Sequence, residues 1–314
     1  MKVDKSLLEK YHAGHCNAQE RLLVEEWLCS DSDEWPEESL KPAPDEEFLT
    51  LPDGIKNKKY SFTRRYANFG VAAAVLCTLG FLIYGQLNKS IPSAAVDTKL
   101  SPSNVYHTEN GKKAKIKLED GTEVIMNAAS ELRVPIKFTD STRIVYLEGE
   151  AYFKVAKDKN RPFTIISDEG KVTVLGTEFN LKAYRHEVTE LDIQEGRVSF
   201  ASLKAAKQCL ILQAGEGATL NPQTGVLRRA QGKAPLTSLW KDGGINLENV
   251  SLKEIAKIIE RRFDYTVNIA DDKLANQRYS GSFKVLKLKE LLDELAFVMH
   301  CKYSLADKQV KFYK

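Results

Sequence analysis

Few residues of this chain stand at spacings that chemistry uses. Glu148 and Glu150 flank Gly149. On a strand, residues two apart share a face, so the pair could serve as the two carboxylates of a glycoside hydrolase. Two solvated acids at a strand end account for them more simply. His12-Ala13-Gly14-His15-Cys16, with Cys29 further on, invites a zinc reading. Zinc takes four ligands, usually as two paired spacings. Here His15 and Cys16 are adjacent and Cys29 has no near partner. His107, His186 and His300 are scattered and lack a neighbouring nucleophile. G-x-G-x-x-G, Walker A, G-x-S-x-G and H-E-x-x-H motifs are all missing. These residues point to no enzyme, no metal and no cofactor.

The elements around them are more informative. Phe69 to Leu87 carries no Asp, Glu, Lys or Arg. As a helix this stretch matches the roughly 30 Å of a bilayer's hydrocarbon core. Lys56, Lys58, Lys59, Arg64 and Arg65 precede it, and only Lys89 follows closely. The positive-inside rule then keeps the N-terminus in the cytoplasm and exports the C-terminal part. Tyr66 and Tyr84 suit the two interfaces. A buried core helix is the plainer alternative; a cleavable signal peptide would lie nearer Met1.

Charge divides the same way. The chain of 314 residues has a net charge of only +3. Residues 1–50 hold 5 Lys and Arg against 13 Asp and Glu. An acidic surface argues against direct nucleic-acid binding and for a basic protein partner. With a span at 69–87, Cys16 and Cys29 are cytosolic and Cys77 lies in the membrane. Cys209 and Cys301 alone reach an oxidising compartment, in different predicted domains. Two buried free thiols are expected there.

Before the span, two short amphipathic helices are predicted. Leu7, Leu8 and Tyr11 line the first, which Gly14 ends. Asn17 and Glu20 form a capping box for the second, where Leu23 and Trp27 are four apart, as are Val24 and Leu28, and so share a face. Such a pair cannot bury much by itself, so its apolar side should await a partner. A self-contained helical bundle remains the alternative. Asp31 to Asp53 is acidic and holds four prolines, as a linker would; Trp35 and Phe48 lie within it. After the span, residues 88–104 read as a spacer. From Val105 short strands recur: Ala114–Leu118 and Glu123–Met126 as a hairpin, then Arg143–Leu147, Ala151–Val155, Phe163–Ser167, Lys171–Leu175, Phe179–Tyr184, Val188–Ile193, Arg197–Ala201 and Cys209–Leu212. With no helices between them they argue for an all-β sandwich or barrel. From Ile245 the period changes. Leu252, Ile255, Ala256, Ile259 and Phe263 form one helical stripe. Leu288, Leu291, Leu292, Leu295, Ala296 and Met299 form another. With flanking strands they make a small α+β unit of two βαβ-like halves.

A set of phrases in the β-rich part resembles the FecR family of membrane-bound anti-sigma regulators. They are Leu118-Glu-Asp-Gly-Thr122, Met126-Asn-Ala-Ala-Ser-Glu-Leu-Arg133, Leu147-Glu-Gly-Glu-Ala-Tyr-Phe-Lys-Val-Ala156, Arg161-Pro-Phe163, Val174-Leu-Gly-Thr-Glu-Phe-Asn-Leu181 and Gln194-Glu-Gly-Arg-Val198. Asp120, Gly121, Asn127, Gly149, Glu150, Gly176, Thr177, Phe179, Asn180 and Gly196 are its motif positions, with structural roles. Residues 245–314 are similar to the short domain at the N-termini of secretins and TonB-dependent receptors. Weaker likeness to the family's sigma-binding region lies in Leu7-Leu-Glu-Lys-Tyr-His-Ala-Gly14 and Glu25-Glu-Trp-Leu28.

The resemblance implies a multidomain protein of the inner membrane. Residues 1–60 would bind a sigma factor through Leu7, Leu8, Tyr11, Leu22, Leu23, Trp27 and Leu28. Residues 69–87 would be the transmembrane helix, 105–228 a jelly-roll-like sandwich in the periplasm, and 245–314 the terminal α+β domain. It implies as partners an extracytoplasmic-function sigma factor, the signalling domain of a TonB-dependent outer-membrane receptor, and an intramembrane protease where signalling proceeds by cleavage. The rival classes are a membrane-anchored carbohydrate-binding module and an envelope structural protein. The former would want a row of exposed aromatics; Tyr146, Tyr152, Phe153 and Tyr184 are present but scattered.

Overall fold

A computed structural model describes residues 3–29, 103–205, 208–234, 236–284 and 287–314. The predicted span, the basic run before it, the acidic stretch with Trp35 and Phe48, and the spacer up to residue 102 lie outside the described residues. Among the described residues no helix is long and apolar enough to cross a membrane.

Helix α1 (Lys5–Ala13) starts where the Asp4 carboxylate accepts the Leu7 N–H at 2.8 Å, and it ends at Gly14 with φ 75°. Helix α2 (Ala18–Cys29) opens on the expected capping box. The Asn17 side chain accepts the Glu20 N–H at 2.8 Å, and Glu20 accepts the Asn17 N–H at 3.0 Å. Two orphan donors are thereby satisfied.

Thirteen strands follow. They are β1 (Ser103–Thr108), β2 (Ala114–Lys117), β3 (Glu123–Met126), β4 (Ser130–Pro135), β5 (Arg143–Lys154), β6 (Phe163–Ile166), β7 (Gly170–Val174), β8 (Glu178–Ala183), β9 (Thr189–Glu195), β10 (Arg197–Ser202), β11 (Cys209–Gln213), β12 (Glu216–Leu220) and β13 (Leu227–Gln231). One sheet runs β11-β10-β7-β6-β5-β4-β1 and the other β2-β3-β5-β8-β9-β12-β13. Pairing is antiparallel except between β5 and β6. The sequence hides β1, β4, β12 and β13. It also splits β5 in two at Gly149, where the chain makes one strand of 12 residues.

That strand belongs to both sheets. Residues 143–148 pair with β6 and β4, and residues 149–154 pair with β8 and β3. Its side-chain alternation survives the crossing. Val145, Leu147, Ala151 and Phe153 all face the interior and are buried. Phe153 stacks on Phe179 at 5.3 Å and meets Phe163 at 6.3 Å, in the middle of the core. Gly149 sits at the turn-over with φ 114°, and a Cβ there would lie 2.6 Å from the Ser130 Cα. Both the dihedral and the space exclude a side chain.

A 3₁₀ turn (Leu236–Asp242) leads to the last domain: β14 (Ile245–Ser251), α3 (Leu252–Phe263), β15 (Thr266–Ile269), α4 (Asp272–Ala275), β16 (Arg278–Phe283), α5 (Leu288–Val298), β17 (Lys302–Ala306) and β18 (Gln309–Tyr313). Both predicted helical stripes are core: Leu252, Ile255, Ile259, Leu291, Leu292 and Leu295 are fully buried. The pairing corrects the two-halves expectation. β14 pairs with β16, and β15 pairs in parallel with β18, which pairs with β17. Strands thus exchange between the halves, which ties both helices into one core.

Gly149→Ala is expected to cost about 2–3 kcal/mol of stability, from strain plus overpacking. Gly215→Ala, whose Cβ would meet nothing within 4 Å, should cost only about 1 kcal/mol. Urea unfolding of the two variants measures both; equal losses would mean that the crossing is not sterically tight.

Candidate functional site

The motif residues converge on two places in the sandwich. The first is a buried ion pair. Arg143 and Asp120 are 0% and 3% exposed and meet at 2.6 Å. Thr122 donates its N–H and hydroxyl to the same carboxylate, at 3.0 and 2.7 Å. Arg143 also donates to the Ala156 and Arg161 carbonyls, at 3.0 and 2.9 Å, and lies 5.4 Å from the Phe163 ring. Gly121 makes the tight turn, with φ 88°. Sequence reasoning missed Arg143. The available signal was a cation on the inward parity of an apolar strand, with Val145 and Leu147.

The second place is the outer face of the β5–β8–β9 sheet. Glu150, Lys182 and Glu190 stand opposite one another across three strands. Asn127 and Asn180 donate to the two Glu150 oxygens, at 2.7 and 2.9 Å. Burial pushes the Glu150 carboxyl above its ordinary pKa, against the pull of Lys182 and of both amides. Burial lowers the Lys182 pKa, but Glu190 and Glu150 outweigh it and the net shift is upward. Thr177 and Gly196 meet at the far end of this sheet, and the Gly176 φ of 151° leaves room for Lys157.

The C-terminal domain covers this face. Trp240 is buried, and its indole N–H donates to the Asn180 side-chain oxygen at 3.1 Å. Lys241 lies 3.3 Å from the Tyr152 ring centroid. From α3, Lys257 and Arg261 reach Glu187 at 3.1 and 2.7 Å, and the Arg261 guanidinium lies 3.8 Å from the Tyr184 ring centroid. Arg262 donates to the Gly243 and Gly244 carbonyls, and the Gly111 N–H donates to the Arg261 carbonyl at 2.7 Å. A cavity of about 360 Å³ remains at this junction. Trp240, Glu187, Arg261 and Arg262 were not singled out from the sequence, where each is one polar-loop or helix residue among many.

The chemical candidates fare differently. Glu148 is exposed and paired with Arg185, whereas Glu150 has both oxygens committed to amides. The scattered aromatics make no exposed row: Tyr146 is exposed, Tyr152 and Phe153 are buried, and Tyr184 lies beside Arg261. Among the described residues no three His, Cys, Asp or Glu side chains gather as metal ligands.

The predicted sigma-binding residues lie on the helix pair. Leu7, Leu8 and Tyr11 are buried, Leu23, Trp27 and Leu28 are half-buried, and Leu22 is 64% exposed. What covers them is partly the sandwich. Leu175 joins their cluster, Arg197 donates to the Tyr11 carbonyl at 3.1 Å with its guanidinium 4.9 Å from that ring, and Ser199 donates to the Leu28 carbonyl at 3.2 Å. Cys209 is not the free thiol expected: it is bonded to Cys29. Cys16 and Cys301 are free. The sequence expectation separated Cys29 from Cys209 by a membrane; here they lie on one side of the same domain.

Comparison with known proteins completes the description. A family model described as "FecR protein" matches residues 104–199, and one described as "FecR, C-terminal" matches residues 244–312. Together they span a little over half of the chain. Two crystal structures of a protein from Parabacteroides distasonis, described as a "putative anti-sigma factor", share the fold. Both have a TM-score of 0.63 and 24% identity; the matches cover 67% and 68% of this chain and 99% of that protein. No curated protein matches this chain.

Proposed function

This chain belongs to the FecR family, and we propose that it is a membrane-bound anti-sigma factor. The observation that carries this reading is the helix pair at its N-terminus. Its apolar residues exceed what two helices bury between themselves, and their cluster takes in Leu175 from outside the pair. A sigma factor's helical surface is such a cover, and the acidic residues of the first 50 positions complement a basic one. The description of the Parabacteroides distasonis protein as an anti-sigma factor supports the same reading.

In this proposal residues 69–87 cross the inner membrane, with the helix pair in the cytoplasm and the sandwich in the periplasm. The charge asymmetry around residues 56–89 supports it. The sigma factor is of the extracytoplasmic-function class. The signal comes from a TonB-dependent outer-membrane receptor, whose periplasmic domain meets the C-terminal domain. The unpaired edge of β17 is one place where a strand of that receptor could add to the sheet. An intramembrane protease is a further partner if the signal travels by cleavage.

Full-length protein should capture an extracytoplasmic-function sigma factor from the same cell. Leu23→Asp and Trp27→Asp should weaken that capture by roughly tenfold or more, the loss of one buried apolar anchor. Undiminished capture by both variants would remove this surface from consideration. Photo-crosslinkers at residues 302–306 should link to the signalling domain of the receptor. Links formed only from residues 105–228 would move the receiving site to the sandwich.

A further inference from the structure

The contact between the sandwich and the C-terminal domain has an unusual composition. The covered face is not apolar; Glu150, Asn180, Lys182, Glu190 and Asp192 point outward from it. Contacts of this polarity resemble those of domains that move relative to one another, whereas permanent interfaces are apolar. Every domain here has its own closed core, so neither needs the other to bury its hydrophobic residues.

Several polar contacts hold it, among them the Gly111 N–H on the Arg261 carbonyl and Lys241 over Tyr152, and two of them bear directly on β8 and its turn into β9. Glu187 stands in the turn between β8 and β9 and takes both Lys257 and Arg261 of α3, at 3.1 and 2.7 Å. Burial would push its carboxyl up, but the two cations outweigh it and hold its pKa below the ordinary range. The second contact is Trp240 on Asn180. Asn180 faces two ways: its oxygen takes the indole N–H, and its amide donates to Glu150. Glu150 follows Gly149, the position at which β5 turns from one sheet to the other. Removing Trp240 would leave Asn180 without its donor and bring water to a carboxylate held by two amides. The effect would fall on the strand crossing itself.

We propose that the C-terminal domain and the 3₁₀ turn before it are clamped on the sandwich by two contacts that open together, Glu187 with Lys257 and Arg261, and Trp240 with Asn180, and that release of this clamp carries an event on the C-terminal domain into strand β5. The second half rests on the relay reading given above; the first half does not.

The test compares the full-length chain, purified in detergent, with Glu187→Lys and with Glu187→Lys combined with Lys257→Glu and Arg261→Glu. Amide hydrogen exchange reads local opening segment by segment. In the single variant, residues 236–244 and 178–184 should exchange about tenfold faster or more, while residues 163–174 of the other sheet stay unchanged. The charge-swapped variant should return toward the parent. Unchanged exchange at 236–244 would overturn the clamp. Acceleration that also reaches 163–174 would overturn it too, since the contact would then belong to the fold as a whole. For the second half, Glu187→Lys should shift a sigma-dependent reporter, without inducer, in the direction that inducer shifts the parent. An opened clamp with an unchanged reporter would overturn transmission. Capture of the sigma factor by the same variant tells that failure apart from a failure of the anti-sigma reading.

Discussion

Strand β5 is the constraint on which the sandwich depends. It is the only strand shared by the two sheets among the described residues, and it can pass between them only where no side chain stands. Gly149 supplies that point, and Ser130 fills the space with a hydroxyl that accepts the Glu150 N–H at 2.9 Å. On one side of the crossing the inward residues end at Arg143, on the other at Phe153. A guanidinium on the inward face must be neutralised, and Asp120 does this from the β2–β3 turn. Loss of either partner would leave a buried charge, a larger cost than the intact pair's net contribution. Arg143 therefore draws together Asp120, Thr122, Ala156 and Arg161, residues from three separate phrases of the sequence.

Much of this was legible before the structure. Apolar alternation marked most strands, the Asn17–Glu20 box marked the start of α2, and the stripes from Leu252 and Leu288 marked α3 and α5. The failures have physical causes. β5 was divided at Gly149 because a glycine between two acids reads as a turn, whereas here it permits a crossing. β4 does alternate but has only Leu132 and Val134 as large apolar residues, and β1, β12 and β13 show no clear apolar alternation. The exchange of strands in the C-terminal domain is a long-range pairing, which local periodicity does not encode. At the junction, Asn127 and Asn180 were named only as family motif positions, and Glu150 as a motif position and as half of a carboxylate pair. Their shared purpose, a polar face under a docked domain, depends on Trp240 and Glu187, which no local pattern marks.

The helix pair poses a different constraint. Its apolar residues need cover, and in the structure the face of β10 and β11 provides part of it, with Cys29 bonded to Cys209. A bilayer between residues 60 and 105 would keep that face out of reach. The docked arrangement and a membrane crossing exclude one another within one molecule. In a cell, the cover would then have to come from another protein on the cytoplasmic side, where thiols stay reduced. On the proposed function, a span at residues 69–87, a reduced Cys29 and cover of the helix pair by a sigma factor are linked.

The state of Cys29 in intact cells tests that link most directly. A full-length variant retaining only Cys29 and Cys209 can be treated with membrane-impermeant and membrane-permeant maleimides, then run without reductant. The account predicts that Cys29 reacts only with the permeant reagent and carries no bond to Cys209. A Cys29–Cys209 link in intact cells, or labelling of Cys29 by the impermeant reagent, would contradict it.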